Sequence, residues 1–139
     1  MTCTFFGNRD IYEDIRHVLY EVTENLIVQK GVDTFYVGNH GRYDACVQRV
    51  LTDLKKKYPH IRCSVVLAYL PVKKEEYGFE TVYPSALENT PPKFAVVKRN
   101  HWMISESDYV VSYVKSSFGN AAKYKDYAVR KGKTVIELA

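Results

Sequence analysis

The sequence predicts a single α/β domain of 139 residues, a three-layer sandwich with helices on both faces of a five-stranded, mainly parallel sheet. Three observations carry that prediction. Short β-rich runs alternate along the chain with longer stretches whose apolar residues recur at helical spacing. The run Val32 to Val37 suits a strand covered on both faces, as parallel sheets require. Polar, glycine-bearing corners follow several of the predicted strands, where the connections of such a sheet must turn.

Size and composition agree with this. A chain of this length falls in the usual range for one compact domain, and folding buries about two-thirds of its surface. With 46% apolar and 26% charged residues it has the balance of an ordinary globular protein. No apolar stretch approaches the roughly 18 residues of a membrane span, so no membrane partner is expected. Met1-Thr2-Cys3-Thr4-Phe5-Phe6-Gly7 lacks the basic start and small-residue cleavage site of a signal peptide, which predicts a cytoplasmic location. Cys3, Cys46 and Cys63 are widely spaced in apolar contexts, and His17, His40, His60 and His101 show no ligand spacing. Free thiols and no metal site are the expectation. The net charge of +4 has its clearest cluster at Lys55-Lys56-Lys57, which a helix C-terminus explains better than a nucleic-acid surface. The twelve tyrosines serve mostly the core, and some can line a binding surface.

In chain order, Thr2 to Phe6 is the first strand, ended by the turn Gly7-Asn8-Arg9-Asp10. Asp10 serves as N-cap of a long amphipathic helix with apolar residues at 11, 15, 18, 22 and 26, widened by Leu19 and Ile27. Gly31 at the C′ position ends it. Strand two runs from Val32 to Val37. Helix two runs from Arg42 to Tyr58, with Val47, Val50, Leu51 and Leu54 on one face, and Pro59 stops it. Ile61 to Leu70 is the third strand, closed by Pro71. Residues 71–92 hold the charged run Lys73-Lys74-Glu75-Glu76 and five breakers, and predict a long surface loop, either a lid near the site or an insertion without function. Pro92 opens a helix to about Ser105, with Phe94, Val97, Trp102 and Ile104 as its inward residues. Asp108 to Val114 is a buried strand and Ser116-Ser117-Phe118-Gly119-Asn120 the turn after it. Ala121 to Lys131 is a helix ended by Gly132, and Thr134 to Leu138 the last strand.

Strands alternating with helices imply right-handed crossovers and the Rossmann-like strand order 3-2-1-4-5. In that order strands one and four are neighbours whose connections leave in opposite directions, and ligands bind at such a switch point. Gly7-Asn8-Arg9, Gly38-Asn39-His40-Gly41 and the turn from Ser116 to Asn120 are therefore expected to line one crevice. The corner at Gly38 to Gly41, between a strand and a helix N-terminus, is either an anion site or a plain connection. Arg9 is placed to fork onto a phosphate or carboxylate, or to pair on the sheet rim. Gly119-Asn120 opens a helix whose N–H groups can meet a phosphate, with the Ser117 hydroxyl beside it and Lys123 one turn inside. Asp44 completes a cap, accepts ribose hydroxyls or acts as a general acid/base. His40 is a proton shuttle or a hydrogen-bonding partner, and Ser107-Asp108 links helix end to strand start. No Ser-His-Asp pattern, Walker loop, metal triad or Gly-x-Gly-x-x-Gly is present, so dinucleotide chemistry is disfavoured and no cofactor is expected.

Phe5-Phe6-Gly7-Asn8-Arg9, Tyr36-Val37-Gly38-Asn39-His40-Gly41-Arg42-Tyr43-Asp44, Leu67-Ala68-Tyr69-Leu70-Pro71, Arg99-Asn100-His101-Trp102-Met103, Ser107-Asp108 and Lys131-Gly132-Lys133 occur in that order. Together they resemble the SLOG superfamily of Rossmann-like domains, closest to its small YpsA-like members, over nearly the whole chain. The superfamily includes cytokinin-activating phosphoribohydrolases, DprA proteins that bind single strands, and nucleotide-sensing domains. The resemblance thus implies a nucleotide-like ligand, and pairing through helices implies a homo-oligomer. Asn8 stands where many relatives have histidine, and Gly119-Asn120 where they have Gly-Gly. The Pro-Gly-Gly-x-Gly-Thr-x-x-Glu signature of the phosphoribohydrolases is replaced by Ser116-Ser117-Phe118-Gly119-Asn120-Ala121-Ala122-Lys123, which removes the glutamate their chemistry uses.

The expected function is a binding protein for a nucleotide or nucleotide-derived ligand, acting as sensor or sequestering module. Backbone N–H groups at 38–41 and 118–121 hold phosphates, Arg9 adds charge, Asp44 takes a sugar hydroxyl, and Tyr69 or Trp102 stacks on the base. The alternatives are a hydrolase of an N-glycosidic bond using Asp44, and a DprA-like single-strand nucleic-acid binder.

Overall fold

The computed structural model describes residues 1–9, 11, 13–70, 78–115 and 119–138. Its elements are β1 (Thr2–Gly7), α1 (Arg16–Lys30), β2 (Thr34–Val37), α2 (Gly41–Lys57), β3 (Arg62–Val66), β4 (Glu80–Val82), a 3-10 turn (Ser85–Leu87), α3 (Pro92–Ser105), β5 (Tyr109–Tyr113), α4 (Asn120–Arg130) and β6 (Thr134–Glu137). The strands form one sheet ordered β4-β3-β2-β1-β5-β6, and all five neighbouring pairs are parallel.

The sheet has six strands, not the five in order 3-2-1-4-5 that the sequence predicts. The extra strand, β4, lies inside the segment 71–92 and extends the edge beyond β3. Val82 accepts the Leu67 N–H at 2.8 Å, and Thr81 stands opposite Val65. Pairing here is a backbone matter. Three residues with two exposed side chains carry no hydrophobic alternation, and Gly78 and Pro84 bracket them too closely for a pattern to form. The buried Leu87 then seats the 3-10 turn against α3. Residues 71–77, the first third of the expected loop, lie outside the described residues.

Successive residues of a strand point to opposite faces, and that alternation assigns each helix pair its side. Cys3 and Phe5 join Phe35, Val37, Val65 and Val111 beneath Leu19, Leu26, Val47, Leu51 and Leu54 of α1 and α2. Phe6, Val66 and Val110 face the other way, beneath Met103 and Ile104 of α3 and Tyr124 and Ala128 of α4. The sheet is thus flanked by helices on both faces.

Local chemistry explains the helix ends. Gly31 takes φ 70° and its N–H returns to Leu26, closing α1. The start of α1 falls at Arg16, later than Asp10 implies; Asp14 accepts the Arg16 N–H there at 3.1 Å, and Asp10 lies outside the described residues. The lysine cluster closes α2. Lys55 donates to the carbonyls of Pro59 and Ile61, and Lys57 pairs with Glu24 at 2.7 Å. Ser107 donates to the Met103 carbonyl while Asp108 accepts the Thr2 N–H, joining α3 to the sheet. Cys3 and Cys63 are buried and Cys46 half-buried, all as free thiols. Among the described residues no helix is long and apolar enough to cross a membrane.

Helix α3 begins at Pro92 as its sequence predicts, but its buried face is Ala95, Arg99, Asn100, Met103 and Ile104. Phe94 and Val97, expected inward, are 53% and 44% exposed. Ile104 is buried as expected and Trp102 packs on Tyr36, but Arg99 and Asn100 also face inward, and these lead directly to the site.

Candidate functional site

The strand order reverses at β1. From there the chain proceeds to β2, β3 and β4, then returns through α3 to β5 on the other side of β1. The C-terminal ends of β1 and β5 flank this switch point, where open α/β sheets hold ligands. Its two sides differ.

On the α1/α2 side the protein fills the space itself. The Tyr43 ring lies over Gly7 so closely that a Cβ there would sit 2.5 Å from a ring carbon. The Tyr43 hydroxyl donates to Val111 at 3.0 Å, and its ring stacks on Tyr113 with centroids 6.5 Å apart. Tyr113 donates to Glu13 at 2.9 Å, and Lys115 pairs with the other Glu13 oxygen at 2.5 Å. The Lys115 N–H meets Asn8 Oδ1 at 2.8 Å, which ties the loop after β5 to the loop after β1.

On the α3/α4 side a cavity of about 210 Å³ opens. Phe5, Phe6, Gly7, Asn8 and Arg9 line it from β1 and its loop, and His40 and Asp44 from the start of α2. Val96, Arg99, Asn100 and Met103 enter from α3, and Asn120, Ala121 and Tyr124 from α4. One wall is therefore cationic and polar, the other apolar.

Arg99 organises the polar wall. It is 2% exposed, yet four of its N–H groups have partners, all neutral. Nε donates to Asn100 Oδ1 at 2.7 Å, and Nη1 to Asn39 Oδ1 at 3.1 Å and the Val66 carbonyl at 2.9 Å. Nη2 lies 3.0 Å from His40 Nδ1. A guanidinium cannot accept, so Nδ1 of His40 is the acceptor and Nε2 carries the proton. Burial lowers the His40 pKa, and the charges of Arg99 and Arg9 lower it further, which keeps the ring neutral.

Asp44 accepts the His40 N–H at 3.0 Å. Burial pushes its carboxyl up to about 6, against the opposing influence of that N–H, Arg99 and Arg9. Gly38 stands between the two charged groups: a Cβ there would lie 2.7 Å from Asp44 Oδ2 and 3.4 Å from the Arg99 guanidinium. Its φ is not positive, so the lack of a side chain is what the position needs. Gly41 does take φ 85°, and its Cα faces the Arg9 backbone at a distance where a Cβ would come within 3.0 Å.

Of the residues the sequence singles out, Gly7, Asn8, Arg9, His40, Asp44 and Asn120 line the cavity. Gly38 and Asn39 stand in its wall behind Asp44 and Arg99, and Gly41 packs on Arg9. Gly119, at φ 99°, precedes α4 with no side-chain cap, while Lys123 is exposed and does not line the cavity. Tyr69 and Trp102 do not line it either. The Tyr69 hydroxyl donates to Pro92 at 2.8 Å, and Trp102 packs on Tyr36 with centroids 5.2 Å apart. Ser117 and Phe118 lie outside the described residues. Of the expected N–H groups at 38–41, that of His40 is held by Asp44, and just beyond them the Arg9 carbonyl takes the N–H of Arg42 at 2.9 Å. Val96, Arg99, Asn100, Met103 and Tyr124 escaped the sequence reading of the site. Their signal is helical spacing, since 96, 99, 100 and 103 share one face of α3. Among the described residues no cluster of three metal-ligating side chains occurs. Compared with known proteins, the chain matches no family model and no curated protein.

Proposed function

We propose that the chain binds a nucleotide or nucleotide-derived ligand in this cavity, as a sensor or sequestering module. One observation carries the reading: Arg99 is a buried cation on the cavity wall whose hydrogen-bond partners are all neutral, with Asp44 acting on it only across Gly38. No carboxylate stands within ion-pair distance of it among the described residues. A buried charge is costly unless opposite charge offsets it; Asp44 does so only from beyond ion-pair distance, and an anionic ligand in the cavity adds to it. Arg9 and the uncapped start of α4 add to the attraction for a phosphate. Asp44 is the acceptor for a sugar hydroxyl, and the wall of Phe6, Met103 and Tyr124 takes the base in place of Tyr69 or Trp102. The volume falls below the roughly 300–1,000 Å³ of drug-sized pockets, which favours a mononucleotide over a dinucleotide. The resemblance to the SLOG superfamily points to the same ligand class. Arg9→Ala is expected to weaken binding across a panel of adenine nucleotides in calorimetric titrations. Unchanged titrations remove Arg9 from the site.

A second reading, hydrolysis of an N-glycosidic bond, is favoured by Asp44. A carboxyl that titrates near 6 suits general acid/base work close to neutral pH. Incubation with nucleoside monophosphates and chromatography for free base separates the two: base released by the wild type and not by Asp44→Asn supports turnover, and none supports binding alone.

A further inference from the structure

Arg99 decides which way its neighbours' polar atoms face. The Asn100 atom 2.7 Å from its Nε must be the carbonyl oxygen, because a guanidinium only donates. The amide nitrogen then lies on the other arm of the same planar group. Asn100 is 8% exposed and lines the cavity, and its amide N–H groups meet no acceptor among the described residues. Among the described residues only Thr90 Oγ1 is sealed without a partner, so the Asn100 amide is not shut in: its two donors open on the cavity, where an acceptor can reach them.

The same logic runs along the wall. The Lys115 N–H fixes Asn8 by its carbonyl end, leaving its amide as donor, and Arg99 leaves His40 with its Nε2–H. Arg9 donates only. Among the described residues Asp44 is the one carboxylate in the lining. A wall made of donors fits a group that presents acceptors on every side. A phosphoryl group does so, whereas the edge of a nucleobase mixes donors with acceptors.

We propose that Asn100 contacts the ligand and selects for a phosphoryl group, its amide donating to a phosphate oxygen, with Arg99 as the positioning residue behind it. The inference rests on the nucleotide-ligand reading and names the part of the ligand that meets α3.

Asn100→Asp inverts the polarity with almost no change of shape. It keeps an oxygen for Arg99 Nε, so the fold is retained, and replaces the amide with a second oxygen that repels phosphate. The wild type and Asn100→Asp are titrated with inorganic phosphate and, separately, with adenosine, following side-chain amide signals by nitrogen-resolved NMR. Phosphate is expected to move the Asn100 amide signals of the wild type. Its affinity is expected to fall about tenfold or more in Asn100→Asp, as loss of a charge-assisted hydrogen bond demands. Adenosine binding should not change between the two. Equal phosphate affinity in both proteins, or phosphate binding that leaves the Asn100 signals unmoved, overturns the inference. A wild type that answers to adenosine and not to phosphate overturns it while the nucleotide reading stands, and silence toward both removes the two together. Arg99→Lys keeps the charge but loses the fork. A His40 ring that then samples both tautomers, with weaker phosphate binding, supports the positioning role; an unchanged ring and affinity refute it.

Discussion

The two sides of the switch point share the same strand ends and end in opposite outcomes. Beneath α1 and α2, Tyr43, Tyr113 and Glu13 close the space and lock the loops after β1 and β5 together. Beneath α3 and α4 the same rim stays open, and its polar wall is held by Arg99 instead of being filled. Gly7 serves both: its missing side chain admits the Tyr43 ring on one side, and its backbone lines the cavity on the other. Strand order therefore supplies a place for a ligand, but side chains decide which half of it a ligand can enter. The filled half should behave as core and the open half as site, and substitutions can separate them.

The largest effect is expected on the filled side. Tyr43→Ala removes a ring that is 1% exposed, with its hydrogen bond to Val111, and should destabilise the fold by about 3–5 kcal/mol in chemical denaturation. Loss well below 1 kcal/mol would mean that this half is not packed as core. On the open side, Gly38→Ala drives a methyl group into the Asp44 carboxyl at 2.7 Å. Backbone strain plays no part at this position, so the cost is overpacking alone, about 1–3 kcal/mol. Denaturation curves that superimpose on the wild type would show that Asp44 and Arg99 can separate freely.

What the sequence made legible follows from locality. Gly31, Pro92 and the lysines at 55–57 act within one helical turn, and their elements stop or start where those residues imply. The alternation of Cys3 and Phe5 against Phe6 needs only the strand period. The features that were not legible are set by distant partners. β4 is held by backbone pairing with β3, which leaves little trace in side-chain pattern. Phe94 and Val97 looked inward because they are apolar, but 99 and 100 face inward, with Arg99 bound to the Val66 carbonyl of the sheet. At the corner after β2, the glycines marked a tight turn correctly in kind. Whether its N–H groups were free depended on Asp44 and on the Arg9 carbonyl, thirty-odd residues away in the chain.

Asp44→Asn sharpens the contrast most finely, because it should move stability and binding in opposite directions. In the folded protein the carboxyl titrates at about 6, above its ordinary value near 4, so between those pH values the folded state holds more protons than the unfolded chain. Stability from this group is therefore fully present below about pH 4 and declines as pH rises to about 6, staying lower above that. Asparagine has no charge to bury and can still accept the His40 N–H. The variant should gain about 1 kcal/mol at pH 7.5 and lose that segment of pH dependence, read from denaturation midpoints between pH 4 and pH 8. The groups described on the filled side offer no such route, since Tyr43, Tyr113, Glu13 and Lys115 are paired there. If the variant is instead less stable at pH 7.5 than the wild type, the carboxylate is a structural anchor for the start of α2, and the open half is held together by the same kind of contact as the filled one.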